Sequence, residues 1–232
     1  MAEIFEYGDT EIIYLKNADT ILGAAIEQIG PIERPVTREL FSSLVSSIVA
    51  QQISAKAADT VWSRMEERLG EITPATINAA DTEDIRRCGM SMRKAAYIKE
   101  AAAKVISGEF NIDSLNSMSD DDVRKKLSEL KGIGAWTAEM LMIFSMQRPD
   151  IISWDDLAIH RGLRMLYKHR KITKELFQKY RHRYSPYATV ASLYLWAIAS
   201  GKYGYKDYAP MTDAQKKKNR KKKPGTVQKK TP

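Results

Sequence analysis

The chain has 232 residues, of which 44% are hydrophobic, and this is enough for one large domain or two small lobes around an apolar core. Its single cysteine, Cys88, excludes an internal disulfide framework, a cysteine-only zinc site and an iron–sulfur cluster. The net charge of +8 suggests an anionic partner, so where the basic residues lie along the chain matters more than their total.

The excess positive charge lies at the C-terminal end. Residues 214–232 contain nine lysine or arginine residues and no acid, and removing these nine charges from +8 leaves −1 for the remainder. Because this segment has almost no apolar residues, we expect a disordered basic tail after a folded part that spans residues 1–213. The tail is either a solubilising end or a non-specific tether for phosphate groups.

Apolar residues recur at helical spacing through most of the chain before residue 214, without a sustained strand-like alternation. This pattern predicts an all-α fold. Serine and threonine residues before several segments are typical N-caps, and glycines after them are typical helix ends. We expect helices over residues 40–50, 54–69, 82–88, 91–107, 119–130, 135–146, 156–167, 173–184 and 187–200.

The N-terminal region is less clear. Residues 4–15 fit either a short strand or an extended arm. The first residues lack the pattern of a secretory leader, and no stretch reaches the roughly 18 apolar residues of a membrane span. We therefore expect a cytoplasmic protein without membrane contact.

A short glycine hairpin, Leu130-Lys131-Gly132-Ile133-Gly134, joins two predicted helices. Glycines two residues apart let the backbone turn tightly and approach another chain closely. The hairpin N–H groups lie at the N-terminus of the next helix, where the partial positive charge favours a phosphate. The pattern is typical of a helix-hairpin-helix that grips a DNA backbone without reading its sequence, and it also fits an ordinary glycine-rich turn.

Two acids, Asp155 and Asp156, follow Gly134 by 21 and 22 residues and begin another predicted helix. This order resembles the helix-hairpin-helix (HhH-GPD) DNA glycosylase superfamily, and most closely its 3-methyladenine DNA glycosylase II family. Four segments carry the resemblance: 48–54 (IVAQQIS), 89–99 (GMSMRKAAYIK), 130–138 (LKGIGAWTA) and 154–161 (WDDLAIHR). It covers roughly residues 36–200 and implies two helical lobes with the active-site cleft between them. The family's additional N-terminal sheet domain is expected to be missing, because too few residues precede Phe41.

The resemblance implies a monofunctional glycosylase that removes alkylated purines such as 3-methyladenine and 7-methylguanine, with Asp156 as its catalytic carboxylate. Cleavage of an N-glycosidic bond builds positive charge on the sugar, which a carboxylate beside C1′ stabilises. Asp155 is the second candidate for this carboxylate, and it fits better as a helix N-cap or a first-turn acid. Members with lyase activity carry a lysine where this chain has Trp136, so we expect water as the nucleophile and no strand cleavage.

The resemblance also implies an aromatic pocket for a base that has left the duplex. Trp136 and Trp196 fall where the family lines its pocket, and Met140 lies one helical turn after Trp136. An electron-rich indole attracts a cationic alkylated base. Each of these residues also fits plain core packing, Met140 equally well.

The turn Gln51-Gln52-Ile53 corresponds to the segment with which the superfamily fills the gap left by the extruded base. Gln52 is the favoured wedge, followed by Gln51, with Ile53 the third candidate. Two adjacent amides also fit a hydrogen-bonded turn between helices.

The hairpin has two expected ligands. We expect DNA phosphate to contact five residues, Lys131, Gly132, Ile133, Gly134 and Thr137. A structural monovalent cation, Na⁺ or K⁺, is expected at the backbone carbonyls of Ser128, Leu130 and Ile133. The three histidines show no metal-ligand spacing, and we expect no other cofactor. The expected partner is double-stranded DNA that contains damaged bases, bound by a monomer.

Two rival interpretations stay open at this point. A non-catalytic helical DNA-binding protein would use the hairpin and the basic tail, but it would need neither an acid nor paired tryptophans. A glycosylase of the same fold with another specificity would release uracil, hypoxanthine or ethenoadenine. Pocket dimensions decide the second question, and the sequence does not contain them.

Overall fold

The computed structural model describes residues 3–210, and within them the backbone is helical almost throughout, which confirms the all-α prediction. The tail predicted at 214–232 lies outside the described residues. A short 3-10 helix spans Asp113–Ser117. The α-helices in chain order are α1 (Asp9–Ala18), α2 (Thr20–Ile29), α3 (Leu40–Ala50), α4 (Ala55–Leu69), α5 (Pro74–Ala79), α6 (Thr82–Arg87), α7 (Met92–Ile106), α8 (Asp120–Ser128), α9 (Ala135–Phe144), α10 (Leu157–Tyr167), α11 (Lys174–Tyr184) and α12 (Ala188–Ala199).

The helix ends follow the capping residues in the sequence. Ser54, Ser91, Ser119 and Thr173 each accept a backbone N–H bond from the first turn of their helix. The nine predicted helices begin and end within two residues of the observed ones. Local capping residues therefore determine where most of the helices begin and end.

The N-terminal region differs from expectation. Ile4 forms an isolated antiparallel bridge with Pro35, and the Phe5 N–H donates to the Arg34 carbonyl at 2.8 Å, so an extended arm is present only at the start. From Asp9 onward the strand or arm prediction is wrong, because the chain is helical. α1 fully buries only Leu15, and its sequence therefore lacks the periodic apolar face by which the other helices were recognised.

Helices α1, α2, α10, α11 and α12 pack together as a first lobe, and α3 to α9 pack together as a second lobe. The first lobe is thus formed by the two ends of the helical region, and the second lobe by the continuous segment between them. Within residues 3–210, none of the helices combines the length and apolar content that a bilayer crossing needs. The lobes meet where α9 of the second lobe approaches the N-terminus of α10 and the side of α12 in the first.

Asp19 ties the first lobe together. Its buried carboxylate caps α2 by accepting bonds from the N–H groups of Ile21 (3.0 Å) and Leu22 (2.9 Å), and it also accepts bonds from the Tyr167 hydroxyl and Arg183. Burial by itself raises the pKa of Asp19, but the Leu22 N–H, Arg183 and Tyr167 outweigh it and hold the pKa below its usual value.

A D19N variant is expected to lose about 1–3 kcal/mol of unfolding free energy at pH 7, since one carboxylate oxygen is replaced by an amide NH₂ that cannot accept the Arg183 bond. Because the folded pKa lies below the unfolded one, this contribution is present above about pH 4 and is lost as the pH falls further. Urea unfolding of both proteins at pH 7 and pH 3 measures it. An equal difference at both pH values would contradict the assignment.

Candidate active site

The glycine hairpin of residues 129–134 connects α8 to α9. Gly132 has a φ of +88°, and a Cβ there would lie 2.8 Å from Cδ2 of Tyr97. Gly134 is the N-cap of α9 with a φ of −88°, and a Cβ there would meet nothing within 4 Å. The protein's own packing therefore requires a glycine at 132, whereas Gly134 leaves the N-terminus of α9 open to an approaching molecule.

The other predicted phosphate ligands lie in different surroundings. Lys131 is exposed and pairs with Glu100, with 2.9 Å between Nζ and Oε2. Ile133 is buried in the core and its N–H donates to the Leu130 carbonyl at 3.0 Å, so only its own carbonyl is available to a ligand. Thr137 is also buried, and it lines a cleft beside Trp136.

The carbonyl oxygens of Ser128, Leu130 and Ile133, the predicted cation ligands, each keep a lone pair that no helix hydrogen bond uses. Ser128 ends α8 and Ile133 precedes the N-cap of α9, so their carbonyls stand outside the intrahelical ladders. The Leu130 carbonyl accepts one bond from the Ile133 N–H and keeps a second lone pair. Among residues 3–210, no group of three His, Cys, Asp or Glu side chains is placed to hold a metal ion.

Asp156 lies at the junction of the two lobes and is only 7% exposed. Its Oδ1 accepts bonds from the backbone N–H groups of Ala158 (2.7 Å) and Ile159 (3.0 Å). Its Oδ2 accepts bonds from the indole N–H groups of Trp136 (3.0 Å) and Trp196 (3.2 Å). Four donors from three helices thus hold one carboxylate in a single orientation.

The predicted assignment of the N-cap to Asp155 is wrong. Asp156 itself caps α10, while the preceding Asp155 is exposed. The cap requires the residue immediately before the first helical N–H groups, and α10 begins at Leu157. Asp156 therefore combines the local role of a cap with a position beside two indoles that no local pattern encodes.

A cleft of about 550 Å³ runs along the hairpin between α3 and α9. Trp136, which is 46% exposed, forms part of its wall, and Met140 lies one turn deeper. A second chamber of about 420 Å³ shares Met140 and Ser47 with the first and continues toward Trp62. The two cavities adjoin at Ser47 and Met140, and each has the volume of a small-molecule pocket.

The predicted wedge residues lie at the mouth of this cleft. Gln51 and Gln52 both line it, and Gln52 is exposed with a left-handed φ of 60°. The Gln51 amide is engaged, since its Nε2 donates to the Gly132 carbonyl at 2.7 Å. Ile53 is 41% exposed. The alternative of a hydrogen-bonded turn thus describes Gln51, and it leaves the side chain of Gln52 directed to solvent.

A family model described as an HhH-GPD superfamily base excision DNA repair protein matches residues 45–186, which include the turn of residues 51–53, the hairpin and Asp156. The chain belongs to this superfamily.

Similar proteins agree with this membership. DNA-3-methyladenine glycosylase 1 of Schizosaccharomyces pombe is 36% identical over 164 residues, which cover 68% of this chain and 72% of that protein. A crystal structure of DNA-3-methyladenine glycosidase from Bacillus halodurans has a TM-score of 0.80 at 35% identity, covering 89% of this chain and 96% of that one. The structure of the S. pombe 3-methyladenine DNA glycosylase in complex with abasic DNA has a TM-score of 0.71 at 31% identity. The match covers 85% of this chain and 100% of that one.

Two residues of this HhH-GPD site were not foreseen from the sequence. Phe144 packs against Trp196 with ring centroids 5.6 Å apart, and the Arg34 guanidinium lies 5.0 Å from the centroid of Phe144. This stack backs the indole that reaches Asp156. Arg34 comes from the loop before α3, and its sequence position gives no signal of the contact because the partner lies 110 residues away.

Glu139 was also missed. It is a buried acid on α9, and burial raises its pKa. The Arg124 guanidinium lies 3.5 Å from its Oε1, and this pair joins the two helices that flank the hairpin of the HhH-GPD fold. Glu139 is therefore placed to hold α8 and α9 at a fixed angle.

Proposed function

We propose that this protein is a monofunctional DNA glycosylase that hydrolyses the N-glycosidic bond of alkylated purines, 3-methyladenine and 7-methylguanine among them, in base excision repair. The observation that carries the proposal is the carboxylate of Asp156, held by two indole N–H groups and a helix N-terminus beside an open cleft. Relatives named as 3-methyladenine glycosylases, and a structural neighbour bound to abasic DNA, support this substrate class.

In the proposed mechanism, the negative charge of Asp156 stabilises the positive charge that develops on the sugar. As the bond from sugar to base breaks, the sugar becomes oxocarbenium-like, and a negative side chain near C1′ lowers the energy of that state. The N–H donors fix the carboxylate before the reaction, so no reorganisation is required when the charge develops. The cationic methylated base departs as a neutral purine, and water then adds to C1′ and loses a proton to solvent, which leaves an abasic sugar.

Trp136, Trp196 and Met140 form the proposed base pocket. A methylated purine such as 7-methylguanine is cationic, and a cation over an indole face gains electrostatic attraction that grows once water is removed. Trp136 is half-exposed and available for stacking, while Trp196 lines neither of the two chambers and is backed by Phe144, which lines the second. The thioether of Met140 lies at the floor, between the two chambers of the cleft.

The hairpin is the proposed grip on the DNA strand. The backbone N–H groups of Gly132 and Gly134, at the start of α9, suit a phosphate oxygen, with Lys131 and Thr137 as flanking contacts. The Ile133 N–H already donates to the Leu130 carbonyl, so Ile133 would contribute its position in the hairpin and not a bond to phosphate. A monovalent cation at the carbonyls of Ser128, Leu130 and Ile133 would add positive charge next to that phosphate. Gln52 is the proposed wedge, because it is exposed at the cleft mouth and its side chain is free of the hairpin.

The two hairpin glycines separate folding from binding in a testable way. G132A is expected to lower the free energy of unfolding by about 1–3 kcal/mol, because alanine resists a positive φ and its methyl group meets Tyr97. G134A is expected to fold normally but to bind duplex DNA roughly tenfold more weakly, because a methyl group displaces a bond to phosphate worth about 1.5 kcal/mol. Urea unfolding and fluorescence anisotropy measure the two effects. Equal DNA affinity in G134A and wild type would contradict the proposed grip.

The proposed reaction has a direct test. Methylated duplex DNA is incubated with the protein, free bases are separated by chromatography, and the strands are examined on a denaturing gel before and after alkaline treatment. We expect free 3-methyladenine or 7-methylguanine, with breaks only after alkali, because Trp136 stands where a lyase carries its amine nucleophile. Breaks without alkali would overturn the monofunctional assignment. Release from duplexes that carry uracil, hypoxanthine or ethenoadenine, with no release from the methylated duplex, would overturn the substrate class, and release of no base from any of these duplexes would overturn the enzyme.

A further inference from the structure

The wedge turn is held in an unfavourable backbone conformation. Gln52 has a φ of 60°, a region that side chains other than glycine, asparagine and aspartate rarely adopt. Such a conformation persists only where the surrounding structure determines it from more than one side. The groups that hold the turn therefore matter for any function that Gln52 has.

Lys94, on α7, fixes the turn of residues 51–53 through its ammonium group. Its Nζ donates to the carbonyls of Val49 at 2.9 Å and Gln51 at 2.6 Å, which flank the C-terminal end of α3. These carbonyls are among those that a helix end leaves without an intrahelical partner, and a cation there also opposes the helix dipole. Burial lowers the pKa of Lys94, in agreement with an ammonium group embedded between α3 and α7.

The same turn is also fastened to the glycine hairpin. The Gln51 side chain donates to the Gly132 carbonyl at 2.7 Å. Tyr97 and Glu100, one and two turns after Lys94 on α7, contact Gly132 and Lys131. Residues three apart share a helix face, so one face of α7 supports both the wedge turn and the hairpin.

We propose that Lys94 is a positioning residue for base extrusion, which together with Gln51 locks the wedge turn to the hairpin as one rigid body. A DNA strand bound at the hairpin then lies at a fixed distance from Gln52. The bonds of Gln51 and Lys94 keep the turn from moving when Gln52 displaces the base from the stack. This inference rests on the proposed function, because it assigns Lys94 to the step that precedes bond cleavage.

The chain offers a matched control for Lys94. Lys99, on the same helix, donates from Nζ to the carbonyls of Asn78 and Ala80, both at 2.7 Å, at the end of α5. K99M therefore removes the same ammonium from the same kind of helix end, away from the wedge. Thermal unfolding of K94M and K99M measures the loss of stability that the two share.

The test compares two duplexes that differ in the cost of extrusion. One duplex carries 7-methylguanine opposite cytosine. The other carries it opposite an abasic site, where the lesion is unpaired and easier to extrude. At saturating enzyme we expect K94M to release the paired lesion roughly tenfold more slowly than wild type, as for a misplaced group, and to release the unpaired lesion at a rate close to wild type. K99M should match wild type on both duplexes.

A second readout needs no catalysis. In a D156N background, 2-aminopurine placed next to the lesion becomes brighter when the neighbouring base leaves the stack, and K94M should reduce this increase whereas K99M should not. Equal slowing of K94M on both duplexes, or identical behaviour of K94M and K99M, would overturn the positioning role. Failure of the proposed function itself would appear separately, as wild-type protein that releases no base from either duplex.

Discussion

A D156N variant is expected to release alkylated bases roughly a hundredfold or more slowly than wild type, because the charge that stabilises the cationic sugar is removed while the shape of the side chain is kept. Asparagine caps helices as well as aspartate does, so the N–H groups of Ala158 and Ile159 keep their acceptor. The two indole N–H groups that donate to Oδ2 lose that acceptor, because an amide NH₂ takes its place, but the cap of α10 remains. Folding and duplex binding should therefore survive. Single-turnover release of 3-methyladenine, with DNA affinity and thermal unfolding measured on the same preparations, tests the variant.

The neighbouring acid provides the control. Asp155 is exposed and does not cap α10, so D155N removes the same charge one residue away. We expect D155N to release bases within about twofold of the wild-type rate, since exposed charges are screened by solvent. A D156N protein that retains the wild-type rate, or a D155N protein that loses activity equally, would show that the carboxylate at 156 is not the one that acts.

G162A is expected to produce the largest loss of stability. A Cβ at Gly162 would lie 2.4 Å from the carbonyl oxygen of Leu195 and 2.9 Å from its carbonyl carbon. These are backbone atoms of α12, so α10 and α12 would have to separate. We expect the free energy of unfolding to fall by about 3 kcal/mol, which corresponds to a Tm roughly 6–12 °C lower.

The same substitution also bears on catalysis. α10 carries Asp156 at its N-terminus, and Trp196 follows Leu195 on α12, so the close helix contact at Gly162 lets Oδ2 of Asp156 and the Trp196 indole approach to 3.2 Å. G162A should therefore lower the rate of base release even at temperatures where the variant is folded. G134A, where an added methyl group has open space, is the matched control for stability. A G162A protein with an unchanged Tm would contradict this account of the packing.

The sequence predicted most of the helical fold because capping and periodicity are local properties. It missed α2, although Asp19 was a local start signal, since its side chain caps the helix through the N–H groups of Ile21 and Leu22. It missed α5, which has six residues and is too short to show a period, although Thr73 and Pro74 were a start signal.

The candidate site was predictable in part. Motif order brought out Asp156, Trp136 and Trp196, and the structure places the two indoles on one oxygen of that carboxylate. The supports were not predictable: Lys94 contacts a turn 43 residues earlier, and Phe144 packs on a residue 52 positions later. Such contacts arise from tertiary packing, and no local pattern in a single sequence contains them.

The central claim is that Asp156 stabilises positive charge on the sugar, and the affinity for a charged mimic of that sugar tests it most directly. One duplex carries a pyrrolidine abasic analogue, whose ring nitrogen is protonated, and a second carries the neutral tetrahydrofuran analogue. We expect wild-type protein to bind the charged analogue at least roughly tenfold more tightly, and D156N to bind both alike. Equal affinity of the wild type for both duplexes, or a preference that survives in D156N, would contradict the claim.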